Sequence, residues 1–261
     1  MKKISSEQNE LVKNIIRLNK AAERKGQKLF IIEGRKEISL AVKAGFTINH
    51  LLFYPELISQ NNIDEFTGNT KEIIEINKAV FSKLAYMDNR DGLIAVAEMK
   101  DKNINSLILP TNPFVLVLEA IEKPGNLGAI LRTADAAKVA AVIVCDNKTD
   151  IFNPNVIRSS RGTVFTVQLA VSNSKTVYSW LKNNKIKIYS ASLKADKNYY
   201  DNDFRQSSSI ILGTEAEGLS EFWHKNSDVL IKIPMQGVAD SLNVSVSAAI
   251  ISFEAIRQRI K

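Results

Sequence analysis

One cysteine, Cys145, and two histidines, His50 and His224, are all the thiol and imidazole in this chain of 261 residues. A lone thiol cannot close an internal disulfide or build a cysteine–metal cluster. Two histidines leave almost nothing for a histidine zinc site. Long apolar runs are also missing. Those at 114–118 and 139–145 fall far short of the roughly 20 residues that cross a bilayer. The opening MKKISSEQNE is charged and has no apolar stretch behind it, so no secretory leader is expected. There is no internal repeat and no low-complexity tract. With 45% hydrophobic and 24% charged residues, the composition excludes a collagen-like, coiled-coil or wholly disordered chain. The expectation is a cytoplasmic protein without a metal or a membrane partner, built as one large domain or two small ones.

What the chain does have is positive charge, unevenly placed. Lys and Arg outnumber Asp and Glu by 35 to 28, a net +7. In the first thirty residues Lys2, Lys3, Lys13, Arg17, Lys20, Arg24, Lys25 and Lys28 face only Glu7, Glu10 and Glu23, which is +5 of that total. Leu11, Ile15, Leu18 and Ala22 recur at helical spacing, with Val12 and Ile16 beside them. Lys13, Arg17, Lys20 and Arg24 fall on a second face of the same expected helix. Such a row is either a solvated face or a stripe that tracks phosphates and gains from counterion release.

Two blocks follow from the pattern. Residues 1–105 hold short mixed elements and a linker: strands near 29–33, 49–54, 72–76 and 92–98, and a helix over 36–44. The stretch 99–113 is polar and ends in Pro110 and Pro113, as linkers do. Residues 106–261 change texture. Apolar runs at 114–118, 140–145, 164–171, 186–192, 209–213 and 229–233 alternate with helical segments at 128–138, 175–183 and 221–226. Continuous apolar strands separated by helices predict an α/β fold with a parallel sheet covered on both faces. The last helix, 244–259, is apolar on nearly all sides through its first half and is expected to be buried.

Ligands in such sheets bind outside the carboxyl ends of the strands, and three segments fall there. Asn126-x-Gly128-x-x-x-Arg132 follows the first strand. Gly213-Thr214-Glu215-x-x-Gly218 follows the fifth. Ser241-Leu242-Asn243-Val244-Ser245 opens the last helix. Each alone reads as an ordinary turn or helix cap, and none is the glycine pattern of a dinucleotide fold. Together, in this order, they resemble the three motifs of the TrmH-type branch of the SPOUT methyltransferases. Between them, Asn153-Pro154-x-x-x-Arg158-x-Ser160-x-Gly162 is similar to another helix of that family. The resemblance is strong over 114–258. It is weaker over 9–98, where Phe30-Ile31-Ile32-Glu33-Gly34 marks the small substrate-binding domain often fused in front. Lys138 and Arg161 depart from the pattern, standing where the family often has glycine and a small residue or methionine.

The resemblance implies a deep trefoil knot in the C-terminal SPOUT domain, which general topology rules would never suggest, and a smaller N-terminal α/β RNA-binding domain. It implies S-adenosyl-L-methionine as cofactor, held by Gly213, Ile233 and Leu242 with Met235 and Gly237 nearby. It implies a homodimer through the knot and methylation of a ribose 2′-hydroxyl in RNA. Arg132 is then the leading catalytic residue, with Asn126, Glu215, Ser241 and Asn243 orienting the ribose and the loops. Lys13, Arg17, Lys20, Arg24, Arg158 and Arg161 are the candidate RNA contacts. The expected substrate is 23S rRNA. Transfer RNA and a resistance-type ribosomal target remain alternatives, as does a non-catalytic RNA-binding or ribosome-assembly factor.

Overall fold

The computed structural model describes residues 2–59, 62–86, 90–214 and 216–260, and divides the chain into two compact units. The first contains the residues up to Asp101 together with Asp150–Thr166. The second contains Lys102–Thr149 and the residues from Val167 onward. The chain thus crosses between the units at 101/102, 149/150 and 166/167, where a single division at 105/106 is expected from sequence. The later excursion at 150–166 was not foreseen.

In chain order the first unit starts with β1 (Lys2–Ile4), α1 (Glu10–Arg17), α2 (Ala21–Gln27), β2 (Leu29–Glu33), α3 (Arg35–Lys43), β3 (Ile48–Phe53), β4 (Thr70–Ile76), α4 (Lys78–Leu84) and β5 (Leu93–Glu98). Among the described residues these strands form one mixed sheet in the order β1-β4-β3-β5-β2. Val12, Ile15 and Leu18 of the α1 region and Val80 and Phe81 of α4 pack with Ile31, Leu52, Ile74 and Ile94 of the sheet.

The single basic helix expected near the start is two helices. α1 stops at Leu18, and the reason is Arg24. Its Nη1 donates to the carbonyls of Leu18 (2.8 Å) and Asn19 (2.9 Å), groups a helix end leaves unsatisfied. Its Nε donates to Asp150 Oδ2 at 2.6 Å. Arg24 is 1% exposed, so it is corrected from an RNA contact to an internal clamp.

The second unit begins with β6 (Phe114–Glu119), α5 (Pro124–Ala136) and β7 (Ala141–Cys145). The chain then returns to the first unit for α6 (Pro154–Ser159) and α7 (Thr163–Thr166). Aromatic packing holds this return segment. Phe152 stacks on Phe30 with centroids 4.5 Å apart, and Phe165 meets Phe46 edge-on at 5.2 Å. Gly162 permits the approach: a Cβ there would sit 2.8 Å from Leu40 Cδ1 and 3.3 Å from Glu37 Cα. The strand expected over 164–171 is corrected accordingly. Its first half turns helical so that Phe165 reaches this cluster.

Back in the second unit come β8 (Leu169–Ser172), α8 (Ser174–Asn183), β9 (Lys187–Ala191), β10 (Lys197–Asn198), β11 (Ser208–Leu212), α9 (Glu221–Asn226), β12 (Val229–Lys232) and α10 (Val244–Arg259). Among the described residues the strands pair in the order β10-β12-β9-β11-β6-β7-β8, every pair parallel. β6, β7 and β11 are buried at every position, as expected for a doubly covered sheet. The expected linker is partly structure: Ile104 joins the second core, and Gln168 bonds both backbone groups of Ile108. α10 matches its expected span but not its expected burial. Ala248, Ile251 and Ala255 are buried, while Val246 (46% exposed) and Phe253 (50%) face outward.

Arg24→Ala is expected to cost about 3–5 kcal/mol in urea unfolding, because it leaves a charge and two helix-end carbonyls unpaired. Arg17→Ala, on the exposed side of α1, should change stability by no more than about 0.5 kcal/mol. Equal effects of the two would remove the clamp.

Candidate active site

β6 lies at the point where the order of the sheet reverses, with β7 and β8 to one side and β11, β9 and β12 to the other. The loops that leave the carboxyl ends of β9, β11 and β12, with the start of α10, enclose a cavity of about 510 Å3. Of the residues expected to hold a cofactor, Gly213, Ile233, Met235 and Leu242 line it, as does Ser241. Gly237 lies outside the lining. Leu212, Leu230 and Ile231 make apolar walls, and Lys194, Glu217, Glu221, His224 and Lys232 supply polar groups that the motifs did not mark.

The loop after β11 is held by its own backbone. Thr214 and Gly218 exchange N–H···O bonds of 3.0 Å in both directions. The approach is so close that a Cβ on Gly213 would lie 2.1 Å from the Gly218 carbonyl oxygen. The far end of the loop is tied to β6. Ser220 donates to the Glu119 carboxylate through its N–H (2.8 Å) and its hydroxyl (2.6 Å). Glu119 is 6% exposed. Sequence reasoning passed over it; the signal was a charged residue ending an apolar strand.

A second tie joins the first and third motifs. Asn243 Nδ2 donates to Asn126 Oδ1 at 3.2 Å, while Asn243 Oδ1 caps α10 by accepting from the Ser245 N–H at 2.9 Å and the Ser245 hydroxyl at 2.6 Å. The capping role and the loop-joining role thus coexist in one side chain. Arg132 stands exposed on α5, outside the cavity lining. Glu215 lies outside the described residues. Burial pushes the Cys145 thiol up to about 12, so it stays protonated and is no nucleophile.

Of the expected RNA contacts, Lys13, Arg17 and Lys20 are exposed at the start of the first unit, and Lys13 also pairs with Glu10 at 3.1 Å. Arg158 and Arg161 are exposed on its 150–166 segment. Among the described residues no group of three or more His, Cys, Asp or Glu could hold a metal ion, and no helix is long and apolar enough to cross a membrane.

A part-apolar cavity with convergent polar groups at the carboxyl ends of parallel strands defines a ligand-binding α/β domain. Comparison specifies which. Residues 113–253 match the SpoU rRNA Methylase family, and residues 9–95 match the MRM3-like substrate binding domain. The 23S rRNA (guanosine(2553)-2'-O)-methyltransferase RlmP of Bacillus subtilis (strain 168) is 30% identical over 253 residues, 97% of this chain and 98% of that protein. A crystal structure of an RNA 2'-O ribose methyltransferase superposes with a TM-score of 0.85 at 36% identity, covering 98% of this chain and 99% of that one. An AdoMet-bound rRNA methyltransferase from Sinorhizobium meliloti superposes with a TM-score of 0.91 at 26% identity, covering 100% and 99%. The chain belongs to the SpoU rRNA methylase family.

Gly213→Ala forces a side chain into the Gly218 carbonyl. The expected cost is about 1–3 kcal/mol in the second unit. Cofactor affinity should fall about tenfold or more, equivalent to about 1.4 kcal/mol. Thermal melts and calorimetry with S-adenosylmethionine measure both, and unchanged values would show that the loop opens freely.

Proposed function

We propose that the chain transfers a methyl group from S-adenosyl-L-methionine to a ribose 2′-hydroxyl of 23S rRNA. The observation that carries this reading is the convergence of loops. The second and third motifs line one cavity, and the Asn243–Asn126 bond brings the first motif to the third. The family membership and the 23S rRNA relative support the same reading.

The cavity suits the cofactor. Its volume falls within the roughly 300–1,000 Å3 of small-molecule sites. Leu212, Leu230 and Ile231 suit an adenine ring, Gly213 leaves backbone groups accessible, and Glu217 and Glu221 complement a cation. S-adenosylmethionine supplies an activated methyl on a cationic sulfur, so the transfer calls for no metal. This chain must align the 2′-hydroxyl, balance the negative charge that grows on its oxygen, and let its proton leave. Asn126, Ser241 and Asn243 orient the ribose and the loops, with Glu215 in the same role by its place in the motif. Arg132 grips the neighbouring phosphate and stabilises the forming alkoxide. Arginine keeps its charge in proteins, which favours this role over that of a proton acceptor. The proton passes to solvent or to a substrate phosphate oxygen.

The exposed Lys13, Arg17 and Lys20, with Arg158 and Arg161, supply phosphate contacts. The outward apolar row of α10, with Val246 and Phe253 in it, is covered by a second copy of the chain in a homodimer, and the polypeptide after β12 is threaded as a trefoil knot. The enzyme works in the cytoplasm, beside its ribosomal substrate.

Mapping of 2′-O-methyl groups on 23S RNA after single-turnover reaction tests the function. Wild-type protein should add one methyl at one position. Arg132→Ala should slow transfer about 10²–10³-fold while calorimetric cofactor affinity holds. Arg132→Lys should recover only part, because an ammonium lacks the planar fork. No methyl added by wild-type protein would end this reading, and an undiminished rate in Arg132→Ala would end the role of Arg132.

For the homodimer, Phe253→Asp combined with Val246→Asp should halve the mass seen in sedimentation. A mass that does not change would place the interface elsewhere.

A further inference from the structure

We infer that a second cavity, wholly within the first unit, is a pocket for one unpaired RNA nucleobase and prefers guanine. The inference rests on the proposed RNA substrate and assigns part of its recognition. The cavity measures about 250 Å3, just below the roughly 300–1,000 Å3 usual for drug-sized ligands and suited to a single base. Two stretches of chain build it: Gly34, Glu37 and Tyr86 from the first, and Pro154, Ile157 and Arg158 of α6 from the return segment.

One wall is flat. Arg158 Cζ lies 3.7 Å from the centroid of the Tyr86 ring, so the guanidinium covers one ring face, and Arg158 Nη2 donates to Asn155 Oδ1 at 2.8 Å. Aromatic rings and guanidinium planes are the surfaces on which splayed RNA bases stack. Ile31, Pro154 and Ile157 also line the pocket and add apolar surface.

The lining also carries three acids, Glu33, Glu37 and Asp91, together with Arg90. Glu33 Oε2 accepts from the Tyr86 N–H at 2.9 Å, and Asp91 Oδ2 accepts from the Arg35 N–H at 2.9 Å. These two carboxylates hold the tyrosine wall and the start of α3 in place. Glu37 faces the same space, its Oε2 being 2.6 Å from where Gly34 would carry a Cβ. A carboxylate only accepts hydrogen bonds, so it selects a base edge with adjacent donors. Guanine presents N1–H beside its N2 amino group. Adenine presents an amino group beside an acceptor, and uracil one donor between two acceptors. A metal site is the other use of clustered acids, but among the described residues no such group has metal-holding geometry.

Fluorescence anisotropy of the full chain at fixed salt tests the pocket. The probes are uridine octamers, either all uridine or with one central guanosine, inosine or adenosine. The guanosine octamer should bind about tenfold more tightly than the all-uridine one, within the range of roughly 5- to 150-fold that one stacked base contributes. Inosine, which lacks the N2 amino group, should fall between. Tyr86→Ala should bring guanosine down to the uridine level. Glu37→Gln keeps the shape and should erase the difference between guanosine and inosine. Equal wild-type affinity for guanosine and uridine octamers, no binding of any octamer, or a guanosine preference that survives both substitutions overturns the pocket. The functional reading is decided separately: methyl transfer to 23S RNA without base preference in the octamers sinks only the pocket, and no methyl transfer sinks the enzyme reading.

Discussion

The Glu119 carboxylate at the end of β6 is the constraint on which the active-site loops depend. A nearly buried carboxylate is costly unless its oxygens are hydrogen-bonded, and here the N–H and hydroxyl of Ser220 satisfy them. These two bonds fix where the loop after β11 ends. The reciprocal Thr214–Gly218 bonds fix where it turns. Together these bonds hold the described ends of the loop beside Gly213, which lines the cavity, without any ligand. Such preorganisation is what a site needs if binding is not to pay for loop ordering.

Polar ties between distant parts of the chain recur. Glu119 and Ser220 are 101 residues apart, Asn126 and Asn243 are 117 apart, and Arg24 and Asp150 are 126 apart. Each ends an excursion of the chain. Apolar packing tolerates small slips, because hydrophobic surface is not directional. A hydrogen bond is directional and does not tolerate them. The core therefore sets which elements associate, and these ties set where the connecting loops stop.

Much of the second unit was legible in the sequence because its information is local. Apolar runs of five or six residues bounded by helices become parallel strands wherever both faces are covered, and the span of α10 follows from its capping Asn243 and its composition. The misses were tertiary. Arg24 shares the spacing of Lys13, Arg17 and Lys20, yet only contact with Asp150 and two carbonyls buries it. The 164–171 run is β-rich in composition, but Phe165 is drawn into a cluster with Phe30 and Phe46 that no local window contains. Glu119 carried no motif at all. The two departures from the family pattern have a backbone signature: Lys138 and Arg161 both adopt positive φ, +49° and +54°. That is the region where glycine is least strained, so the preference for glycine at 138 is conformational and the lysine fills the place at a modest cost.

Charge asymmetry in the sequence looked like a property of the first thirty residues, and the fold changes what it means. Removing Arg24 from the exposed set leaves Lys13, Arg17 and Lys20 as that row. The return segment adds Arg158 and Arg161 to the same unit from far along the sequence. Exposed cations drawn from two stretches cannot all be supplied by the first hundred residues alone. The same segment carries Phe152 and Phe165, whose partners Phe30 and Phe46 belong to those first hundred residues. Cutting the chain near residue 106 therefore does more than delete a binding module. It strips two buried aromatics of their partners and leaves Asp150 without Arg24. Weaker RNA binding in such a fragment would not by itself separate lost charge from lost structure. Point substitutions at exposed cations make that separation, because they remove charge and leave the aromatic cluster whole.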